Sequence, residues 1–162
     1  PKVGPEYSGV SLGADGEPVC VDASMNMSSA DVKKQLMALM PLIKERLHFL
    51  SDAAEMVHFL FTEPAVPAKE NIIPKKLDEA KTKEVLVKAK DYVAEIFGME
   101  HEAAEELAKK YAEELGIKLG DFMMPVRMAV TGSKVSPPLI GSIWILGKER
   151  AVARVERTLA AF

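Results

Sequence analysis

Glu55-Met56-Val57-His58 sets a carboxylate and an imidazole three residues apart, a spacing that puts both on one face of a helix. Di-iron bundles use two such Glu-x-x-His motifs together with a glutamate from each of two further helices. This motif by itself falls far short of that donor set and reads more simply as a surface pair, so no metal site is assigned. His101-Glu102 begins like a zincin helix but has Glu105 where the second histidine would stand. It reads as the polar first turn of a helix, where acidic side chains favour the macrodipole. No serine or cysteine has a recognisable partner for nucleophilic catalysis, and no glycine-rich loop offers to cradle a phosphate. Cys20, the single cysteine, stands in a loop-like opening and reads as incidental. The residues support neither catalysis nor a bound cofactor within this chain.

Basic residues carry more information when counted by region. The chain of 162 residues is mildly acidic, with 21 basic against 24 acidic side chains and a net charge of −3. Nucleic-acid-binding modules ordinarily have a pI above about 9, so the average argues against that class. Residues 120–162, however, hold Arg127, Lys134, Lys148, Arg150, Arg154 and Arg157 against Asp121, Glu149 and Glu156, a net +3. Residues 1–119 carry the opposite balance, −6. A polarised chain can turn a basic face to RNA while the rest stays acidic. Charge alone leaves a solvated helical hairpin open as the alternative.

The elements that must position these side chains are mostly helical. Residues 1–27 are punctuated by Gly4, Pro5, Gly9, Gly13, Gly16 and Pro18 and read as irregular. Within them Val10-Ser11-Leu12 and Val19-Cys20-Val21 could pair as a weak hairpin. Ser28, with Asp31 three residues on, resembles a capping box, and Val32, Leu36, Leu39 and Met40 follow at helical spacing. Pro41 lacks the amide such a helix needs and is expected to start a new turn through Ile43, Arg46 and Leu50. Asp52 with Glu55 is expected to cap the next helix, which stops before Pro64. Pro64, Pro67 and Pro74 mark a connector.

The second half is more regular. Val85, Leu86, Ala89, Val93, Ile96 and Phe97 form an apolar stripe ended by Gly98. Ala104, Leu107, Ala108, Tyr111 and Leu115 form another, ended by Gly116. A shorter helix over 121–130 is begun or interrupted by Pro125, and a turn over 131–138 leads into a helical hairpin hinged at Gly147. Met37, Met40 and Met56 fall on apolar stripes and read as core filler. The expected fold is all-α, a bundle or cage of seven or eight short helices. An irregular segment, 1–27, precedes one helical subdomain over 28–70 and a second over 71–162.

Composition removes other classes. With 48% hydrophobic and 28% charged residues, the chain does not resemble a disordered one. Its longest uncharged stretch, 135–147, has 13 residues with two prolines and two glycines, against roughly 18 or more for a spanning helix. Residues 1–10 lack the apolar core of a signal peptide. A lone cysteine forms no internal disulfide, which points to a reducing compartment. Pro1 in place of an initiator methionine suggests a processed chain or part of a longer one.

Within the basic part, Met124-Pro125-Val126-Arg127-Met128-Ala129-Val130-Thr131-Gly132, continuing to Ser136-Pro137-Pro138-Leu139, carries a recognisable signature. It closely resembles the Pro-Leu-Arg-x-Ala-Leu-Thr-Gly…Ser/Thr-Pro-x-Leu pattern of bacterial-type glutamyl-tRNA synthetases, a class I aminoacyl-tRNA synthetase family. Ile145-Leu146-Gly147-Lys148-Glu149-Arg150 and Arg154-Val155-Glu156-Arg157 look like that family's C-terminal helix pair. Gly116-Ile117-Lys118-Leu119-Gly120 matches the short link before it. Leu42-Ile43-Lys44-Glu45-Arg46-Leu47 and Phe59-Leu60-Phe61-Thr62-Glu63 resemble the preceding helical subdomain, so the resemblance runs from about residue 31 to 162.

The resemblance implies the C-terminal anticodon-binding region of a glutamate–tRNA ligase, not catalytic by itself. The catalytic Rossmann-type domain, using ATP and Mg and carrying HIGH-like and KMSKS-like signatures, would lie before Pro1, and neither signature occurs in this chain. The implied partners are the anticodon arm of glutamate tRNA and the N-terminal catalytic domain of the same chain, in a monomeric cytoplasmic enzyme away from membranes. In the family an arginine at the position of Arg46 contacts an anticodon base, its guanidinium fork suiting the acceptor edge of a cytosine. Arg46 looks like the version associated with rejecting glutamine tRNA. Positions matching Arg127, Ser136, Pro137 and Leu139 surround the other bases. The alternative from a different class is a helical protein–protein interaction module.

Overall fold

A computed structural model describes residues 9–22, 25–45 and 50–162, with only the backbone of Leu50, Ser51, Asp52 and Glu55. Contacts divide the chain into two compact units, Pro1–Pro64 and Ala65–Phe162. Among the described residues the fold is largely all-α: eight helices and one two-stranded sheet.

In the first unit, β1 (Val10–Leu12) pairs antiparallel with β2 (Pro18–Cys20), Val10 opposite Cys20. The weak hairpin thus forms, shifted by one residue on its second strand. Gly9 has φ +72°, and a Cβ there would lie 2.8 Å from Thr62 Cγ2 and 2.9 Å from Phe61 Cβ, so only glycine fits. Cys20 is not incidental, because its half-buried thiol donates to the Phe61 carbonyl at 3.2 Å and ties the sheet to a helix end.

Helix α1 (Ser29–Ile43) opens on the expected capping box. The Asp31 amide donates to Ser28 Oγ and the Ser28 amide donates to Asp31 Oδ2, each at 3.2 Å. The helix does not break at Pro41 but runs through it to Ile43. Pro41 lies in the last turn, so one missing amide bond is offset by carrying Ile43 onto the fully buried stripe of Val32 and Leu39. Met37 and Met40 are not core filler: they are 69% and 45% exposed, off that stripe. Helix α2 (Leu50–Phe61) has already formed at Leu50, so Asp52 lies inside it instead of capping it. It buries Val57, Phe59, Leu60 and Phe61 and ends before Pro64.

The second unit begins with the short α3 (Lys69–Ile72), which sequence periodicity does not reveal. Asp78 caps α4 (Glu79–Glu95) by accepting from the Lys81 amide at 2.7 Å. The α4 stripe buries Val85, Leu86, Ala89, Tyr92 and Val93. Helix α5 (His101–Glu114) packs alongside, and the Tyr92 hydroxyl donates to the Ala104 carbonyl at 3.2 Å. Tyr92, Tyr111 and Phe122 form one aromatic cluster with centroids 5.6 to 6.2 Å apart. Burial, with a hydrogen bond to Glu95, pushes the Tyr111 phenol up to about 12, so it stays neutral.

Three helices complete the unit: α6 (Leu119–Thr131), α7 (Leu139–Leu146) and α8 (Lys148–Ala160). Helix α8 packs on α4 and α6, and Lys90 pairs with Glu156 at 2.8 Å across the α4–α8 contact. Most of α7 is buried, as its largely apolar sequence requires, and the buried Ser142 hydroxyl donates to the Pro138 carbonyl at 2.9 Å. Gly147, at φ +92° and ψ 150°, separates α7 from α8 in a conformation essentially restricted to glycine. No helix among the described residues is long and apolar enough to cross a membrane.

Candidate functional site

The site is built where α6 hands the chain to α7. Helix α6 runs from Leu119 through Pro125 without ending there, although Pro125 has no amide to donate. Pro125 is itself buried together with Phe122, Val126, Ala129 and Val130, and that packing offsets the lost amide bond. The helix stops at Gly132, whose φ of +71° makes a left-handed cap and whose amide donates to the Met128 carbonyl at 2.9 Å.

Side chains then organise the turn. The Thr131 hydroxyl lies 2.9 Å from the Arg127 carbonyl and 3.1 Å from that of Ser133, two acceptors for one donor. Thr131 Oγ1 in turn accepts from the Ser133 amide at 3.3 Å, and Ser133 Oγ accepts from the Val135 amide at 3.1 Å. The returning chain meets α6 again at Arg127. Its Nη1 donates to Ser136 Oγ and to the Pro137 carbonyl, the latter at 3.3 Å. The Ser136 hydroxyl also donates to the Pro137 carbonyl at 3.0 Å.

Of the expected site residues, Arg127, Ser136 and Pro137 therefore form one hydrogen-bonded cluster. Ser136 and Pro137 are buried, Arg127 is half-buried, and Leu139 opens α7 at 4% exposure. Leu139 thus packs into the unit's interior. Arg46 lies outside the described residues, as do Leu47 and His48.

The basic part is less a surface than its count suggests. Lys134 and Lys148 are exposed, and Arg127, Arg150 and Arg157 are half-buried. Lys134 donates to Asn71 Oδ1 of α3 at 3.2 Å. Arg154 is 1% exposed, and its Nη1 donates to the Val130 carbonyl at 2.7 Å. Its charge serves a helix end and adds nothing to an outer basic face. A sequence signal for this exists: residues 151, 154, 155 and 158 share one helical face, and the other three, Ala151, Val155 and Thr158, are buried.

Glu45 precedes His48 at the same spacing as Glu55 and His58. Among the described residues, no group of three or more His, Cys, Asp or Glu could hold a metal ion.

A family profile described as an anticodon binding domain matches residues 18–159. The glutamate–tRNA ligase of Treponema denticola is 58% identical over 128 residues, covering 79% of this chain and 25% of that enzyme. That of Treponema pallidum (strain Nichols) is 48% identical over 127 residues, covering 78% of this chain and 24% of the enzyme. The chain thus spans about a quarter of the length of the curated relatives it matches. A crystal structure of a glutamate tRNA ligase from Elizabethkingia meningosepticum in complex with its amino acid shares the fold, with a TM-score of 0.52 at 21% identity. That match covers 85% of this chain and 30% of the other.

Proposed function

This chain belongs to the anticodon-binding domain family, and from that premise we propose that it docks the anticodon arm of glutamate tRNA and selects that tRNA for a glutamate–tRNA ligase. The observation that carries this reading is the turn between α6 and α7, folded back onto Arg127 within the basic part of the chain. Sequence-specific RNA recognition targets splayed, single-stranded bases through hydrogen bonds to base edges and stacking on side chains. A turn held rigid by the bonds among Arg127, Ser136 and Pro137, with the half-buried Arg127 its more accessible member, suits that task. Leu139 backs the turn as an apolar wall, and Arg46 supplies a second guanidinium fork from the other subdomain.

In this reading the ligase adenylates glutamate with ATP and Mg and transfers it to the tRNA in an N-terminal catalytic domain, as a cytoplasmic monomer. The role of this chain is to bind and discriminate.

Fluorescence anisotropy with a labelled glutamate-tRNA anticodon stem-loop tests the proposal. Binding should weaken as salt rises, because phosphate contacts release counterions, and the cognate loop should outcompete a scrambled one. Equal affinity for both loops overturns the assignment.

A further inference from the structure

We infer that Arg154 is a positioning residue for anticodon reading: from α8 it holds the end of α6 so that the turn over 131–138 keeps the shape in which Arg127, Ser136 and Pro137 meet. The inference rests on the reading role proposed above.

Arg154 heads the fully buried side chains by volume, at 1% exposure. Burying a guanidinium is costly unless acceptors meet it, and a methionine or leucine on the same stripe would fill the space without that cost. What the arginine contributes is a donor where α6 lacks one. The last four carbonyls of a helix have no intrahelical amide and carry its negative dipole end. Met128 accepts from the Gly132 amide, and Val130 accepts from Arg154 Nη1 at 2.7 Å.

The next residue begins the turn. The Thr131 hydroxyl spans it through Arg127, Ser133 and its own 6% exposed side chain, and Ser133 Oγ passes the order on to the Val135 amide. Beyond Val135 the chain closes on Arg127 through Ser136. These hydrogen bonds, joined by the Val130–Thr131 and Val135–Ser136 peptide links, connect the interior of α8 to the turn. On α8 itself the Thr158 hydroxyl donates to the Arg154 main-chain carbonyl at 2.9 Å, one turn along the helix.

Arg154→Met keeps an unbranched apolar stem in the buried position and removes the donor, Arg154→Lys keeps a donor, and Thr131→Val removes the hydroxyl of the turn. Amide hydrogen exchange at Ser133 and Val135 reads the turn without RNA, and anisotropy with cognate and scrambled stem-loops reads selection. In Arg154→Met, helical by circular dichroism, exchange at both amides should accelerate. The preference for the cognate loop should fall about tenfold, the scale of one hydrogen bond to a charged group, with affinity for the scrambled loop and the salt slope unchanged. Thr131→Val should move both readouts in the same direction, and Arg154→Lys should recover part of each. Unchanged exchange and preference in folded Arg154→Met overturns the inference. If that variant does not fold, the same result in Thr131→Val overturns it. Faster exchange in variants of a chain that never prefers the cognate loop overturns the reading role, and this assignment with it, while leaving the bond network intact.

Discussion

The Arg127 guanidinium donates to the Ser136 hydroxyl nine residues further on, closing the α6–α7 turn onto the helix that leads into it. One nitrogen of Arg127 also reaches the Pro137 carbonyl, so the arginine shapes the turn that carries its neighbouring site residues. Removing either partner should therefore disturb the whole cluster.

Ser136→Ala deletes one acceptor of Arg127 Nη1 and leaves that nitrogen its bond to the Pro137 carbonyl. A hydrogen bond to a charged group contributes about 1.5–3 kcal/mol. The expected outcome is a loss of cognate stem-loop affinity toward the lower end of that range. Arg127→Gln should cost more, since it removes both bonds. Titration of each variant by anisotropy checks the ranking, and a Ser136→Ala loss exceeding that of Arg127→Gln would contradict it.

Arg46→Gln should weaken cognate binding by about 1–3 kcal/mol, the discrimination a good bidentate contact supplies. The loss should be confined to the cognate loop. Competition against loops altered at one anticodon base decides the matter, because equal losses on every loop would reduce Arg46 to phosphate contact or structural support.

Gly147→Ala separates strain from crowding. Nothing lies within 4 Å of a Cβ built at Gly147, but φ is +92° and ψ 150°. The cost should be backbone strain of about 1–3 kcal/mol, seen as a lower urea midpoint for unfolding of the second unit. Gly9→Ala, at φ +72° with Thr62 and Phe61 within 2.9 Å, should add a steric penalty in the first unit. A Gly147→Ala midpoint equal to the parent's would show that the α7–α8 joint tolerates another conformation.

The start of α1 should depend on pH through Asp31. The Ser28 hydroxyl and amide hold the Asp31 carboxyl below its ordinary 3.8. A carboxylate with a depressed folded pKa contributes stability above its unfolded pKa and loses it as pH falls through the folded value. The capping contribution should thus be complete at neutral pH and fade only below 3.8. Ser28→Ala should lower α1 stability at neutral pH and flatten this acid dependence. Amide exchange at the first turn of α1, followed from neutral to acid pH, measures both.

Much of the helical layout was legible because it rests on local chemistry. Ser28 and Asp31 announce a capping box by spacing alone, and Gly98 and Gly116 mark helix ends, both at positive φ. Pro41 and Pro125 misled because propensity is local while burial is not. Each interrupts amide bonding within its own turn, yet buried neighbours such as Ile43 and Val126 carry the helix through. Met37 and Met40 misled for a related reason: periodicity assigns a residue to a face, but partners decide which face is covered.

By itself the sequence determined the helical class, the family signature over 124–139, and the turn over 131–138, since period, caps and motif are properties of neighbouring positions. It did not determine what those residues touch. Only the tertiary structure decided that Cys20 bonds Phe61 across 41 positions and that Arg154 serves Val130 across 24. The physical reason is that a buried donor must find an acceptor wherever packing supplies one, and distance along the chain does not enter that requirement.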